Sequence, residues 1–133
     1  MNGLLDISTS ALVAQRTRLD AIAANLAIAD VGGNPNGPVK PPSIREVLFA
    51  EGDPTTGSSE GVHVADIRER KAYTPRFQPK HPYADAQGYV WYPDVNPVEQ
   101  QVNMMMAARS YEANIAAIEA TKSMINSAME ILS

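Results

Sequence analysis

Residues 96–132 read NPVEQQVNMMMAARSYEANIAAIEATKSMINSAMEIL, and this stretch decides the fold. Its large apolar residues recur every seven positions, at Met104, Tyr111, Ile118, Ile125 and Leu132. Heptad spacing keeps an apolar stripe on one face of a helix that packs against other helices. Asn96 is a good N-cap residue and Pro97 suits the first helical position, so a helix is predicted over Pro97–Leu132. At 1.5 Å per residue its length is roughly 50 Å.

The opposite end of the chain has the same spacing, in a line of leucines at Leu5, Leu12, Leu19 and Leu26. This predicts a second long helix, which begins between Asp6 and Ser10 and runs to about Ala29. Gly32 and Gly33 are expected to end it by adopting positive backbone angles, and the prolines that follow disfavour helix.

Ser8, Gln15 and Ile22 lie beside the leucine line, whereas the C-terminal stripe is flanked on both sides by small and apolar residues. The face of the C-terminal helix is therefore broader, which predicts close packing against several neighbours. The fold class expected is mainly α, with the terminal helices pairing as an antiparallel coiled-coil-like bundle. Asn114 either fixes register in the helical seam or faces water, and its position in the pattern favours neither. An ordinary helical hairpin inside a globular domain remains the alternative. The predicted assembly interface comprises Leu5, Leu12, Leu19, Ile22, Leu26, Met104, Ala108, Tyr111, Asn114, Ile115, Ile118, Ile125, Met129 and Leu132.

The middle of the chain has a different composition, with nine of the ten prolines and the only tryptophan. Three regions follow: a helix at 1–30, a small β-rich insertion at 31–95, and a helix at 96–133. Strands are predicted at 44–49, 62–67 and 89–92, with a turn at 85–88 and a mobile loop at 50–60.

Charge and composition exclude several functions. A net charge of -4 and a pI near 5.1 argue against nucleic-acid binding. The chain has no cysteine, and its two histidines have no second ligand at metal spacing, so no metal or cofactor is expected. The first residues do not resemble a cleavable signal peptide, and no apolar run is long enough to insert into a membrane.

One pair of side chains could in principle support catalysis. His81 and Asp85 are close in sequence and could act as acid and base. However, Asp85 lies beside a turn glycine, where an aspartate usually accepts hydrogen bonds from its own backbone, and no nucleophile accompanies the pair. No catalytic residue is therefore expected.

Three segments resemble a known family. Residues 10–30, SALVAQRTRLDAIAANLAIAD, closely resemble the N-terminal motif of flagellar axial proteins, and residues 95–132 resemble their C-terminal helix. Residues 81–95, HPYADAQGYVWYPDV, are similar to the segment that marks the C-type proximal-rod proteins, the FlgC family. The chain departs from the family pattern at Ile28, at 31–33 and at Tyr83, which affects the expected turn after the first helix.

The resemblance implies a structural subunit of the bacterial flagellar basal-body rod, exported by the flagellar type III apparatus without a cleaved signal and located in the periplasm. Its terminal helices would form the inner tube and the insertion would lie outside, and the assembled rod would transmit torque across the periplasm. Implied partners are copies of itself, the B-, F- and G-type rod proteins, the rod-base adaptor, and the export apparatus with its chaperone. The alternative function is a soluble helical adaptor or secretion chaperone.

Overall fold

The computed structural model describes residues 2–54 and 57–133. Two long helices enclose four strands in chain order. The elements are α1 (Asn2–Ile28), β1 (Ile44–Asp53), β2 (Ser58–Arg70), β3 (Tyr73–Phe77), β4 (Tyr89–Pro93) and α2 (Pro97–Leu132). The predicted fold class, two long terminal helices around a small β-rich insertion, is confirmed.

The chain divides into two compact units. The first contains Met1–Leu19, Val47–Asp66 and Met105–Ser133, and the second contains Asp20–Glu46 and Ile67–Met104. In each unit an early part of one helix is grouped with a late part of the other. This grouping is the one expected of antiparallel terminal helices.

Helix α2 begins at Pro97, as predicted from its capping residues. The Asn96 side-chain oxygen accepts hydrogen bonds from the amides of Val98, at 3.1 Å, and Glu99, at 3.4 Å. These bonds satisfy two of the amides that have no partner inside the helix. In the described residues no helix is both long enough and apolar enough to cross a bilayer.

Helix α1 is longer than predicted at its start, because it already includes Asn2. Ser10, expected near the N-cap, lies inside the helix, where its hydroxyl donates to the Ile7 carbonyl at 2.7 Å. The prediction was wrong because a serine hydroxyl can also find a hydrogen-bond partner inside a helix, at a carbonyl of the preceding turn.

The two glycines after α1 have a different role from the one predicted. Neither has a positive φ. A Cβ on Gly32 would lie 2.6 Å from the Val90 side chain, and one on Gly33 would lie 2.6 Å from the backbone nitrogen of Pro41. The glycines are therefore required for close packing at this point, and the turn itself does not need their conformational freedom.

Strands β1 and β2 are neighbours in one two-stranded sheet and are longer than predicted. They extend into 50–60, so most of the expected mobile loop is strand; Thr55 and Thr56 lie outside the described residues. The connection between Asp53 and Ser58 is too short for a parallel crossover, so the pair is an antiparallel hairpin. The prediction ended the strands where the apolar residues end, but hydrogen-bonded pairing continues through Glu51 and Gly52.

The second sheet pairs β3 with β4, and only β4 was predicted. Tyr73 lies opposite Pro93, and Phe77 lies opposite Tyr89. The buried side chains of this sheet are on β4, where Val90 is completely buried and Tyr92 is 6% exposed. Beyond its edge, the Trp91 amide donates to the Gly33 carbonyl and the Gly33 amide donates back, both at 2.9 Å.

Pro75 occupies the outer edge of β3. Its partner across the sheet is Trp91, whose backbone groups bond to Gly33 and so point away from β3. In an antiparallel pair of this kind the backbone groups of both residues point outward, so the Pro75 nitrogen faces the free edge. Because proline has no amide hydrogen, this edge lacks a donor at its centre.

Candidate assembly interface

Helix α2 is almost uncovered within one chain. Of its described residues only Ala107 is buried. The predicted heptad positions Met104, Tyr111, Ile118 and Ile125 are half-buried, and so are Ala108 and Asn114 beside them. The three remaining predicted residues of this helix are exposed: Ile115 at 37%, Met129 at 64% and Leu132 at 87%.

A second apolar face of α2 was not predicted. With about 100° between successive residues, seven side chains fall within a narrow arc that lies away from the heptad stripe. All of them are exposed, and they are Val102, Met106, Ala113, Ala117, Ala120, Met124 and Ile131. The signal is present in the spacing of the alanines and methionines, three or four residues apart, but the heptad stripe is the more regular pattern in the sequence. We call this set the alanine face.

The third face of α2 is polar. It includes Glu112, Glu119, Ser123, Asn126 and Glu130, all of which are exposed. The helix therefore has one half-covered apolar face, one uncovered apolar face and one face suited to water.

In α1 the fully buried residues differ from the predicted leucine line. Ile22 is 6% exposed, and the small residues Ala14 and Ala21 are buried with it, as is Ala29 directly after the helix. The leucines are half-buried, at Leu5, Leu12, Leu19 and Leu26. Within one chain, the small-residue face of α1 is thus covered more completely than its leucine line.

Asn25 attaches the end of α1 to the first strand and was not identified from the sequence. It is 4% exposed. Its carboxamide nitrogen donates to the Arg45 carbonyl at 2.9 Å, and its oxygen accepts from the Arg45 amide at 2.8 Å. A buried carboxamide needs both partners, and here one backbone residue supplies them. A lone asparagine in an alanine-rich helix gives no sign of a partner twenty residues away.

Ser10 makes the corresponding attachment to β2. Its Oγ accepts from the Val62 amide at 3.2 Å. Gly61 has a φ of 96°, and a Cβ there would lie 2.9 Å from this oxygen. Glycine therefore allows the helix hydroxyl to approach the strand.

Asp85 organises the turn before β4. Its Oδ1 accepts from the amides of Gln87 and Tyr89, both at 2.9 Å, and its Oδ2 accepts from Trp91 Nε1 at 3.4 Å. These bonds, that from Tyr89 most of all, lower the pKa of the Asp85 carboxyl from its ordinary value. His81 accepts from the Tyr83 amide through Nδ1, at 3.1 Å. Both side chains thus serve the local backbone, which supports the turn interpretation over the catalytic one.

A groove of about 530 Å³ between the start of α1 and β2 contains Asp6, Ser10 and His63. An aspartate, a serine and a histidine are the residue types of a hydrolytic triad, but here they are not hydrogen-bonded to one another as in a triad. The Ser10 hydroxyl donates to the Ile7 carbonyl, and His63 Nδ1 bonds to the Gly52 carbonyl at 2.7 Å. A nucleophile activated by histidine would need the serine and histidine bonded to each other. Across the described residues, no three His, Asp or Glu side chains are grouped as a metal site would require.

Comparison with known families now defines the class of protein. Residues 5–33 match the family described as flagella basal body rod protein, and residues 86–131 match the family described as flagellar basal body rod FlgEFG protein C-terminal. The matches fall on α1 and on β4 with α2. The fold and these matches define a flagellar basal-body rod protein.

Curated relatives narrow the assignment. The chain is 41% identical to the flagellar basal-body rod protein FlgC of Escherichia coli O6:H1, over 92% of this chain and 90% of the relative. It is 34% identical to FlgC of Bacillus subtilis strain 168, over 96% and 95%, and 37% identical to that of Aquifex aeolicus VF5, over 95% and 92%. The chain belongs to the FlgC family, and it is a structural subunit of the flagellar basal-body rod.

Proposed function

We propose that this chain joins the rod through its two terminal helices, with the heptad stripe and the alanine face of α2 contacting different neighbours. The supporting observation is that α2 has one buried residue among those described, while apolar side chains occupy two of its faces. Burying a Met106 or Met124 side chain fully is worth about 1.5–3 kcal/mol, and one chain alone does not obtain this. Neighbouring helices supply the missing contacts.

The family relationship supports a finer assignment of partners. The neighbours are copies of this chain and the B-, F- and G-type rod proteins, and near the base the adaptor that joins rod to export gate. The chain reaches this place through the flagellar export apparatus, with a chaperone and without a cleaved signal peptide. As part of the assembled rod, it then transmits torque across the periplasm.

Aspartate substitutions on α2 test both apolar faces. Ile118→Asp places a charge in the heptad stripe, and Ala117→Asp places one in the alanine face. A buried, unpaired carboxylate costs several kcal/mol, so either variant should be secreted but fail to enter rods. Swimming in soft agar and the protein content of purified basal bodies measure this.

Ser123→Asp is the matched control, because it adds the same side chain to the polar face of the same helix. It should give normal rods and motility. Normal rods containing Ala117→Asp would remove the alanine face from the proposed interface, and normal rods containing both variants would refute assembly through α2.

The alternative function is a soluble helical adaptor or secretion chaperone. Such a protein would bind partner helices in solution and would be absent from washed basal bodies. Co-polymerisation of the purified chain with rod homologues supports the structural role, and stable one-to-one complexes without polymer support the alternative.

A further inference from the structure

The charges of the insertion are separated along the chain. Residues 51–66 contain four acids and no Lys or Arg, whereas residues 67–80 contain five of the eleven Lys and Arg side chains and one acid. We call these the acidic segment and the basic segment. The chain as a whole has a net charge of -4, so the basic segment stands out against an acidic background.

The basic segment is displayed to solvent. From Ile67 to Lys71 every residue is exposed, and so is Lys80. Arg70 pairs with Glu46, and Arg76 lies 3.8 Å from Asp30 and over the Tyr92 ring. Lys71 and Lys80 form no ion pair within the described part of the chain. Their charge is available to another molecule.

The acidic segment has the complementary charge and is also displayed. Glu51 and Glu60, at the distal end of the β1–β2 hairpin, are exposed. The two segments meet between Asp66 and Ile67, and this is also the boundary between the two compact units in the strand. The part of the insertion in the first unit has four acids and no Lys or Arg, whereas the part in the second unit has seven Lys and Arg and four acids.

We propose that the basic segment of one chain docks on the acidic segment of a second copy. This assignment rests on the proposed rod function and specifies the surface through which the insertions of neighbouring subunits meet. A contact between two different patches is heterologous, and repeated around a helix it continues as an open array. Opposite charges also guide the approach of subunits and fix their register.

The charge pattern favours a second copy over an anionic membrane or nucleic acid. The net charge of the whole chain, -4, opposes binding to either of those polyanions. A second copy instead offers the matching acidic surface on the same insertion.

Charge reversal in the full chain tests the contact. One variant carries Lys71→Glu and Lys80→Glu, and the other carries Glu51→Lys and Glu60→Lys. The first variant lowers the net charge of the basic segment from +4 to 0, and the second raises that of the acidic segment from -4 to 0. Self-association of either variant at 50 mM NaCl should therefore be at least about fivefold weaker than that of the unsubstituted chain. In an equimolar mixture the unchanged acidic segment of the first variant can meet the unchanged basic segment of the second, so the mixture should associate more strongly than either variant alone. Sedimentation velocity measures all three samples.

The control variant carries Lys40→Glu and Arg45→Glu, at exposed residues that lie outside the basic segment and outside both helices. It has the same net charge as the first variant and should associate like the unsubstituted chain. In 1 M NaCl, where charges are screened within about 3 Å, the difference between variants should vanish.

Several results would overturn the proposal: an unsubstituted chain that does not self-associate at 50 mM NaCl, single variants that behave like it, or a mixture that stays dissociated. If the charge-substituted insertion variants form normal rods and Ile118→Asp does not, the contact between insertions is refuted and the helix interface is supported. If the insertion variants lose the salt-dependent association and Ile118→Asp forms normal rods, the helix interface is refuted and the contact between insertions is supported.

Discussion

Asn25 joins two elements because its carboxamide has the same donor and acceptor as a peptide group. From inside α1 it bonds to both backbone groups of Arg45, as a neighbouring strand residue does. Ser10 adds a hydroxyl bond to the Val62 amide from the same helix. In each strand of the hairpin, a backbone group that does not bond to the other strand is therefore hydrogen-bonded to a side chain of α1. At a free strand edge such groups have no protein partner.

Removal of the Asn25 carboxamide should loosen the start of β1. In concentrated Asn25→Ala protein we expect the Arg45 amide to exchange with solvent about ten- to hundredfold faster, because a lost buried bond costs about 1–3 kcal/mol. Hydrogen exchange measured by NMR or mass spectrometry reports this. Asn126→Ala, at an exposed asparagine of α2, is the control and should leave Arg45 unchanged. Equal exchange in both variants would mean that the carboxamide does not hold the strand.

At the scale of elements, β4 and its preceding turn depend on one carboxylate. Asp85 accepts bonds from two amides and from the indole of Trp91, the only tryptophan. Its pKa is lowered in the folded chain, so ionised Asp85 stabilises the turn. That contribution is complete above the unfolded pKa and is lost as the pH falls through the folded pKa.

Acid titration should reveal this contribution in Trp91 fluorescence. A change in emission is expected with a midpoint below 3.8, the ordinary aspartate value. Asp85→Asn cannot ionise but can still accept the amide bonds, so its emission should not show this step. A transition of the same midpoint and amplitude in Asp85→Asn would assign it to other carboxyls.

The sequence predicted elements well where local chemistry sets them. Asn96 and Pro97 fix the start of α2 through bonds within four residues, and heptad spacing identified its body. The strands were predicted too short, and β3 was missed, because their pairing depends on residues distant in sequence and β3 itself has little apolar alternation. For the same reason the role of Asn25 was not predicted. The packing that requires glycine at position 32 was also not predicted, because the neighbouring Val90 and Tyr92 lie at the other end of the insertion in sequence.

At the scale of the whole molecule, the helices have more apolar surface than one chain covers. Met124 is 71% exposed and Ile131 is 85% exposed, and both belong to the alanine face. Ordering a helix costs about 1–2 kcal/mol per residue in backbone entropy, which packing must offset. We therefore expect assembly to stabilise α2 more than folding of a single chain does.

Helicity of the purified chain should depend on its concentration. In dilute solution we expect circular dichroism to show less helix than the structure contains, and helicity should rise as the chain associates. Ala117→Asp, which blocks the alanine face, should remain less helical at every concentration. Full helicity with a cooperative melt in dilute solution would show that the monomer is already ordered.

The proline at the outer edge of β3 affects whether subunits aggregate before they assemble. An unprotected strand edge can seed fibrils when many copies are crowded together. Pro75 has no amide hydrogen to donate to an added strand at the centre of this edge. At high protein concentration, association through the helices is therefore favoured over the addition of strands to this sheet. Replacing this one ring with an ordinary side chain would open a competing route, in which subunits are lost to irreversible aggregates before any rod is built.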